Sequence, residues 1–313
     1  MAKSIAFGAR ATADKVLAGI DLSGKRFVVT GCNSGIGFET MNALTANGGQ
    51  VIGLARSLAA AKAACATVSP GATPLACDLA DLESVTAAAA VIRAMPGPID
   101  AIVANAGIAN LPTLQTRYGV EMHFLVNHIG HFALINELSD LVRDATGRIV
   151  IVSSNASLNQ APPQGIMFDN LDGHEYYKPL QFYRQSKLAN GLHAGELSRR
   201  LSPRGIAVNS LHPGATHGTG LNRSVSWPLR IAQSAGRLFM KSAPQGAATQ
   251  AFLAASPQVS GITGEFWRNC QIAKGSPLLD DAELAQRLWQ VSEDIVAQHR
   301  AHAQPANSLR QAA

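Results

Sequence analysis

Short apolar runs alternate along most of the chain with longer Ala-rich or amphipathic stretches, and this alternation limits the possible folds more than any other feature. The runs are RFVVTG (26–31), VIGLAR (51–56), PLACDL (74–79), IDAIVANAG (99–107), RIVIVSS (148–154), IAVNSLHPG (206–214) and ITGEFWRN (262–269). Most have apolar or β-branched centres without polar alternation, so they read as strands buried on both faces. The stretches 35–48, 57–66, 81–95, 117–144, 182–202 and 244–255 read as the helices that cross between them. Repeated strand–helix units predict an α/β fold: a doubly wound parallel sheet of about seven strands with helices on both faces.

With 313 residues, 47% of them hydrophobic and 15% charged, the chain can bury one large core. No repeat or linker interrupts residues 24–270, and residues 24–300 are expected to form a single domain. Residues 1–23 read as an N-terminal extension with a short helix, and the polar 301–313 as a disordered tail. Segment 215–243, with its Gly, Pro and apolar residues, is expected to be a mobile lid or a membrane-surface contact.

Composition narrows the function. The net charge of +5 comes with no basic run longer than Arg199–Arg200, and aromatics are only 5%, which argues against nucleic acid as a partner. The four cysteines, Cys32, Cys65, Cys77 and Cys270, form no CxxC pair or disulfide framework, as suits a reducing compartment. No stretch of roughly 18 uncharged apolar residues offers an integral membrane span, and the N-terminus lacks the apolar core of a signal peptide. A cytoplasmic protein is expected.

The first strand runs into TGCNSGIG (30–37), which opens a helix. Free backbone N–H groups and the positive end of the helix dipole make such a turn a seat for a pyrophosphate. The expected contacts are Gly31, Asn33, Ser34, Gly35, Ile36 and Gly37. A triphosphate loop is excluded because Ile36, not Lys, follows Gly35. About 20 residues on, the second strand ends in Ala55 and Arg56, where an acid would grip the ribose of NAD and an arginine neutralises the 2′-phosphate of NADP. NADP(H) is therefore the preferred cofactor, with NAD(H) the alternative.

FYRQSKLAN (182–190) sets Tyr183 and Lys187 four apart on one helical face. A cation near a phenol favours the phenolate and moves a group of pKa about 10 toward use in proton transfer. RIVIVSS ends in Ser153 and Ser154, where a hydroxyl can bond a substrate carbonyl. Strand alternation favours Ser154 and turns Ser153 away. Asn127 lies in VNHIGHF, in the stretch before that strand. His128 and His131 in the same motif lack a third ligand nearby, so no metal is expected.

Together, TGxxxGIG, Asn105-Ala106-Gly107, Asn127, Ser154, Tyr183, Lys187 and Pro213-Gly214 resemble the short-chain dehydrogenase/reductase superfamily, with its Rossmann-type fold. The stretches QSKLAN, LSRRLSPRGIAVNSLHPG and KSAPQGAATQ resemble its retinol dehydrogenase group and the dehydrogenase domain of WW-domain oxidoreductases. No paired tryptophans precede the match, so binding of proline-rich peptides is not expected. The resemblance implies that Tyr183 exchanges the proton and that Lys187 holds the nicotinamide ribose and lowers the Tyr183 pKa. It further implies that Ser154 polarises the carbonyl and Asn127 anchors a relay water. It places Asp78 and Leu79 at the adenine edge, Asn105, Ala106 and Gly107 along the nucleotide, and Pro213 and Gly214 beside the nicotinamide. Thr216 and Thr219 compete for the threonine that follows. The expected partner is a carbonyl or alcohol small molecule, lipophilic or bulky, turned over by a homodimer or homotetramer. A catalytically silent NADP sensor or scaffold, or an epimerase on the same fold, are the rival readings.

Overall fold

The computed structural model describes residues 7–68, 70–155, 162, 164–216 and 240–310. Among them the strands are β1 (Arg26–Thr30), β2 (Gln50–Ala55), β3 (Ala72–Ala76), β4 (Ala101–Ala104), β5 (Thr116–Arg117), β6 (Val120–Glu121), β7 (Arg148–Val152), β8 (Ala207–His212), β9 (Phe266–Arg268) and β10 (Gln271–Ile272). β5 and β6 pair as a small hairpin, and the other eight form one sheet in the order β10-β9-β8-β7-β4-β1-β2-β3. All its pairings are parallel except β9 with β10. The expected count of about seven is thus short by one strand. The eighth arises because Asn269 and Cys270, both at positive φ (56° and 60°), fold the chain back on itself in a two-residue turn.

The helices are α1 (Ala13–Leu17), α2 (Gly35–Ala46), α3 (Leu58–Cys65), α4 (Leu82–Arg93), α5 (Met122–Phe124), α6 (Gly130–Leu138), α7 (Pro179–Leu201), α8 (Ala243–Ala255) and α9 (Ala282–Arg310). Their starts are written locally. Ser57 and Asp81 accept the free N–H groups of α3 and α4, and Ser242 with Gln245 forms a capping box on α8. The pleat of β1 divides the core: Phe27 and Val29 face a cluster with α1, α2, α3 and α8, whereas Val28 faces one with α4, α6, α7 and α9. Each such side chain removed from water contributes about 1.5–3 kcal/mol.

Three segments depart from the sequence expectation. Stretch 117–144 is not one helix. Tyr118 and Gly119, at φ 57° and 68°, turn β5 into β6, and α5 and α6 follow, joined by a π-helical segment, Leu125–Ile129. Part of the N-terminal extension belongs to the core, since Ala13, Val16 and Leu17 are buried. Helix α9 runs through Arg310, into the stretch expected to be a tail, and packs along α7. Among the described residues no helix is long and apolar enough to cross a membrane. Strand order reverses at β1, which lies between β2 and β4, and the crevice at that switch point is where open parallel sheets take ligands.

Candidate active site

Beyond β1 the chain passes through a turn with almost no side-chain volume. Gly31 takes φ 70°, and its N–H donates to the Leu54 carbonyl at 2.8 Å. A Cβ on Gly31 would stand 3.0 Å from Ala106 Cα, and one on Gly37 would fall on Gly31 O and the Asn105 amide. Both glycines therefore let α2 and the loop after β4 close on each other. Asn33 is exposed, Ser34 and Gly35 are half-buried, and Ile36 is buried. Ser34 caps α2 without a side-chain bond to it, so the first-turn N–H groups are left for another acceptor.

Thr30 is the hub beneath this turn. Its Oγ1 accepts the N–H groups of Asn105 and Ala106, both at 2.9 Å, and lies 2.8 Å from His131 Nε2. Asn105 returns a bond from Nδ2 to the Thr30 carbonyl at 2.9 Å. Gln250 of α8 donates to Asn105 Oδ1 and to Thr40. The other nitrogen of His131 lies 3.0 Å from the Asn127 carbonyl, which only accepts, so Nδ1 carries the proton and Nε2 accepts from Thr30. Burial pushes His131 down to about 4; the bond to Asn127 opposes this and the charge of Lys187 adds to it.

The catalytic candidates meet at the mouths of β4 and β7. Asn127 sits in the π-helical segment; its Oδ1 accepts from Ile108 N at 2.8 Å, and its Nδ2 donates to Ile108 O at 3.0 Å and to Ser186 Oγ at 2.9 Å. A Cβ at Gly107 would lie 3.0 Å from Asn127 Oδ1 and 3.4 Å from Lys187 Nζ, so this glycine brings the loop against both. Pro179 begins α7, where its fixed φ suits a first turn, and Tyr183 and Lys187 follow one turn apart. Lys187 donates to the Val152 carbonyl at 3.1 Å, and Ser153 Oγ donates to the Lys187 carbonyl at 2.6 Å. Ser154 and Tyr183 share a side-chain hydrogen bond.

The electrostatics differ from the expectation that Lys187 lowers the Tyr183 pKa. Burial pushes the phenol up, and it is the Ser154 hydroxyl that pulls it part of the way back. The ammonium is engaged with Val152, and burial pushes Lys187 itself down to about 8.

The remaining candidates lie along the same edge of the sheet. Arg56 is exposed between β2 and the cap of α3. Asp78 accepts from Ala80 N at 3.0 Å, and Leu79 lies under Gly130, where a Cβ would fall on its carbonyl. Gly214 takes φ 99° over the stem of Lys241. Thr216 Oγ1 donates to the Gly214 carbonyl at 3.1 Å, and Gly246 leaves room for both Thr216 and Ile36. Thr219 and positions 217–239 of the expected lid lie outside the described residues. Sequence reasoning missed Thr30, Gln250, Gly130 and Gly246, and it weighed His131 only as a metal ligand. Thr30 and His131 stood inside quoted motifs; a polar residue in an apolar run was the available signal.

The chain is 37% identical to the human WW domain-containing oxidoreductase over 297 residues, 91% of this chain and 71% of that one. The model for short chain dehydrogenase matches residues 25–167. The chain belongs to the short-chain dehydrogenase family. Retinol dehydrogenase 14 of Homo sapiens is 35% identical, over 88% of this chain and 87% of its own. The chloroplastic short-chain dehydrogenase TIC 32 B of Brassica napus is also 35% identical, over 93% and 94%. Among solved structures, an uncharacterised protein from Mycobacterium paratuberculosis superposes with a TM-score of 0.73 at 30% identity, covering 91% of this chain and 97% of that one. A short-chain dehydrogenase from Burkholderia cenocepacia in complex with NADP has a TM-score of 0.62 at 26% identity, covering 78% and 96%. The chain thus has the Rossmann-type sheet of this family.

Proposed function

We propose that this dehydrogenase interconverts a carbonyl and an alcohol on a lipophilic or bulky small molecule, with NADP(H) as the preferred cofactor. The observation that carries the reading is the meeting of the half-buried Tyr183, which Ser154 pulls back from the rise that burial causes, with the buried Lys187 and Asn127. A hydroxyl pair in that position can receive a carbonyl oxygen from two directions.

The glycine turn and the uncapped start of α2 suit a dinucleotide pyrophosphate. Gly31 and residues 33–37 would hold that part, Asp78 and Leu79 the adenine edge, residues 105–107 would run along the nucleotide, and Pro213, Gly214 and Thr216 would take the nicotinamide side. Arg56, with Ala55 rather than an acid before it, favours the extra phosphate of NADP. When bound, the nicotinamide supplies or accepts the hydride. Ser154 donates a hydrogen bond that polarises the carbonyl. Tyr183 gives its proton to the oxygen in reduction and takes it back in oxidation. Lys187 holds the ribose hydroxyls, and Asn127 anchors the water through which the proton is restored. A cytoplasmic homodimer or homotetramer completes the reading.

Fluorescence titration with NADPH and NADH, followed by absorbance assays on aldehydes and ketones from hexanal to bulky aromatic ketones, tests it. Tighter NADPH binding and turnover lost in Tyr183→Phe are expected. NADPH binding without net turnover of any carbonyl or alcohol would favour a sensor or an epimerase instead.

A further inference from the structure

Two fully buried polar side chains, Glu121 and His123, lie outside the catalytic set yet beside it. Glu121 caps α5, and its carboxylate accepts from the residues that follow it. Its Oε2 accepts the N–H groups of His123 at 2.8 Å and Phe124 at 3.2 Å, and its Oε1 lies 2.6 Å from His123 Nδ1. The Tyr177 hydroxyl sits between the Leu111 carbonyl, 2.8 Å away, and the same carboxylate. Because a carboxylate accepts, His123 Nδ1 carries the proton, and Nε2 is left to accept the Leu111 N–H at 3.4 Å. The imidazole is thus fixed at both nitrogens. Its ring meets the ring of Tyr183 edge to face, with centroids 6.3 Å apart and planes at 72°.

Capping a three-residue helix does not require a histidine, and an apolar pair would fill this volume without burying a carboxylate. What the polar arrangement adds is orientation. We propose that His123, locked by Glu121, is a positioning residue for Tyr183: its ring edge holds the phenol in the rotation that keeps the hydroxyl on Ser154. Tyr177 ties the same lock to the segment that precedes α7. The titratable groups facing the imidazole are Glu121 at the start of α5, Tyr177 in that segment and Tyr183 on α7. The inference rests on the reading of Tyr183 as the proton donor.

The test separates the two. His123→Asn keeps a donor near the place of Nδ1 but removes the ring, and His123→Phe keeps a ring edge without the donor. The chain has four tyrosines, so NMR titration of protein labelled with 13C at the tyrosine ring carbon bearing oxygen resolves Tyr183, assigned by its absence in Tyr183→Phe. In His123→Asn the Tyr183 pKa is expected to rise, because the Ser154 bond that opposes burial is lost. The kcat for NADPH-dependent reduction of the best aldehyde should fall about 10- to 100-fold, with the NADPH Kd within about twofold of wild type. His123→Phe should recover part of kcat. An unmoved Tyr183 titration, or equal kcat in the Asn and Phe variants, overturns the positioning role. If Tyr183→Phe turns over like wild type, the proposed function falls and this inference with it.

Discussion

At the scale of single residues, the site combines an acid held up by burial with a base held down by it. The Tyr183 phenol stays protonated at neutral pH, as the proposed donor in carbonyl reduction must, and Ser154 limits how far burial raises it. Tyr183→Phe should therefore cost about 10²–10⁴ in kcat while NADPH still binds, read by steady-state assay and fluorescence titration. Lys187 has the opposite bias: its folded pKa of about 8 lies below its ordinary value of 10.5. The unfolded chain binds the extra proton between those two values, so the lysine destabilises the fold at neutral pH and this cost is relieved as pH rises through the window. Lys187→Met should be inactive yet more stable than wild type by about 1–3 kcal/mol at pH 7. The difference should shrink toward pH 10 in urea unfolding, and a gap that does not change with pH would show that the ammonium carries no such strain.

At the scale of elements, the glycine turn works because α2, β1 and the loop after β4 come together without intervening side chains. Gly37→Ala places a methyl on Gly31 O and the Asn105 amide, both held by bonds to β1 and β2. Overpacking of this kind costs about 1–3 kcal/mol. It should also push the start of α2 off its seat, so NADPH affinity is expected to fall further than the thermal midpoint suggests. Thr30→Val tests the hub on the same turn. It removes the acceptor of two N–H groups and the partner of His131, and each orphaned buried group costs about 1–3 kcal/mol. Chemical unfolding should show a loss of at least one such bond.

At the scale of the whole molecule, the two cores respond differently to acid. His128, His131 and His193 are all buried on the α6–α7–α9 side and are held neutral; burial pushes His131 down to about 4, His193 to about 3, and His128 well below its ordinary value. Stability is present above about pH 6.5 and is lost as pH falls toward those folded values, by about 1.4 kcal/mol per pH unit for each histidine. His193 packs between Phe132 and Trp289 and has no partner for either ring nitrogen among the described residues. His212 is held down to about 4 as well, so His193→Leu should flatten the acid limb of the stability profile by about one quarter. Helix α9 closes this core. Trp289 packs on Phe132 and lies under the Arg200 guanidinium, 4.0 Å from the ring centroid. Trp289→Ala should cost about 3–5 kcal/mol in urea unfolding.

Apolar runs and intervening amphipathic stretches were enough to place six of the seven expected strands within a few residues, because burial on both faces leaves a hydrophobic run that needs no partner to be visible. The ITGEFWRN run also held a strand, but its hairpin with β10 depends on positive φ at both Asn269 and Cys270, and only the asparagine is a residue that favours it. The positions of Tyr183, Lys187 and Ser154 were legible because chemistry fixes residue type and spacing within one helix or at one strand end. What joins them was not legible. The Thr30–His131–Asn127 chain spans 101 residues of sequence, and the bond that brings α8 onto Asn105 spans 145. The rise in the Tyr183 pKa depends on how much of the phenol neighbouring segments cover, and no local pattern records that. The sequence by itself determined the sheet, the glycine turn and the reactive residue types, through local periodicity and backbone sterics. Only the tertiary structure decided which nitrogen of His131 and His123 carries a proton, and that α9 rather than solvent covers α7, because these follow from contacts between segments far apart in the chain.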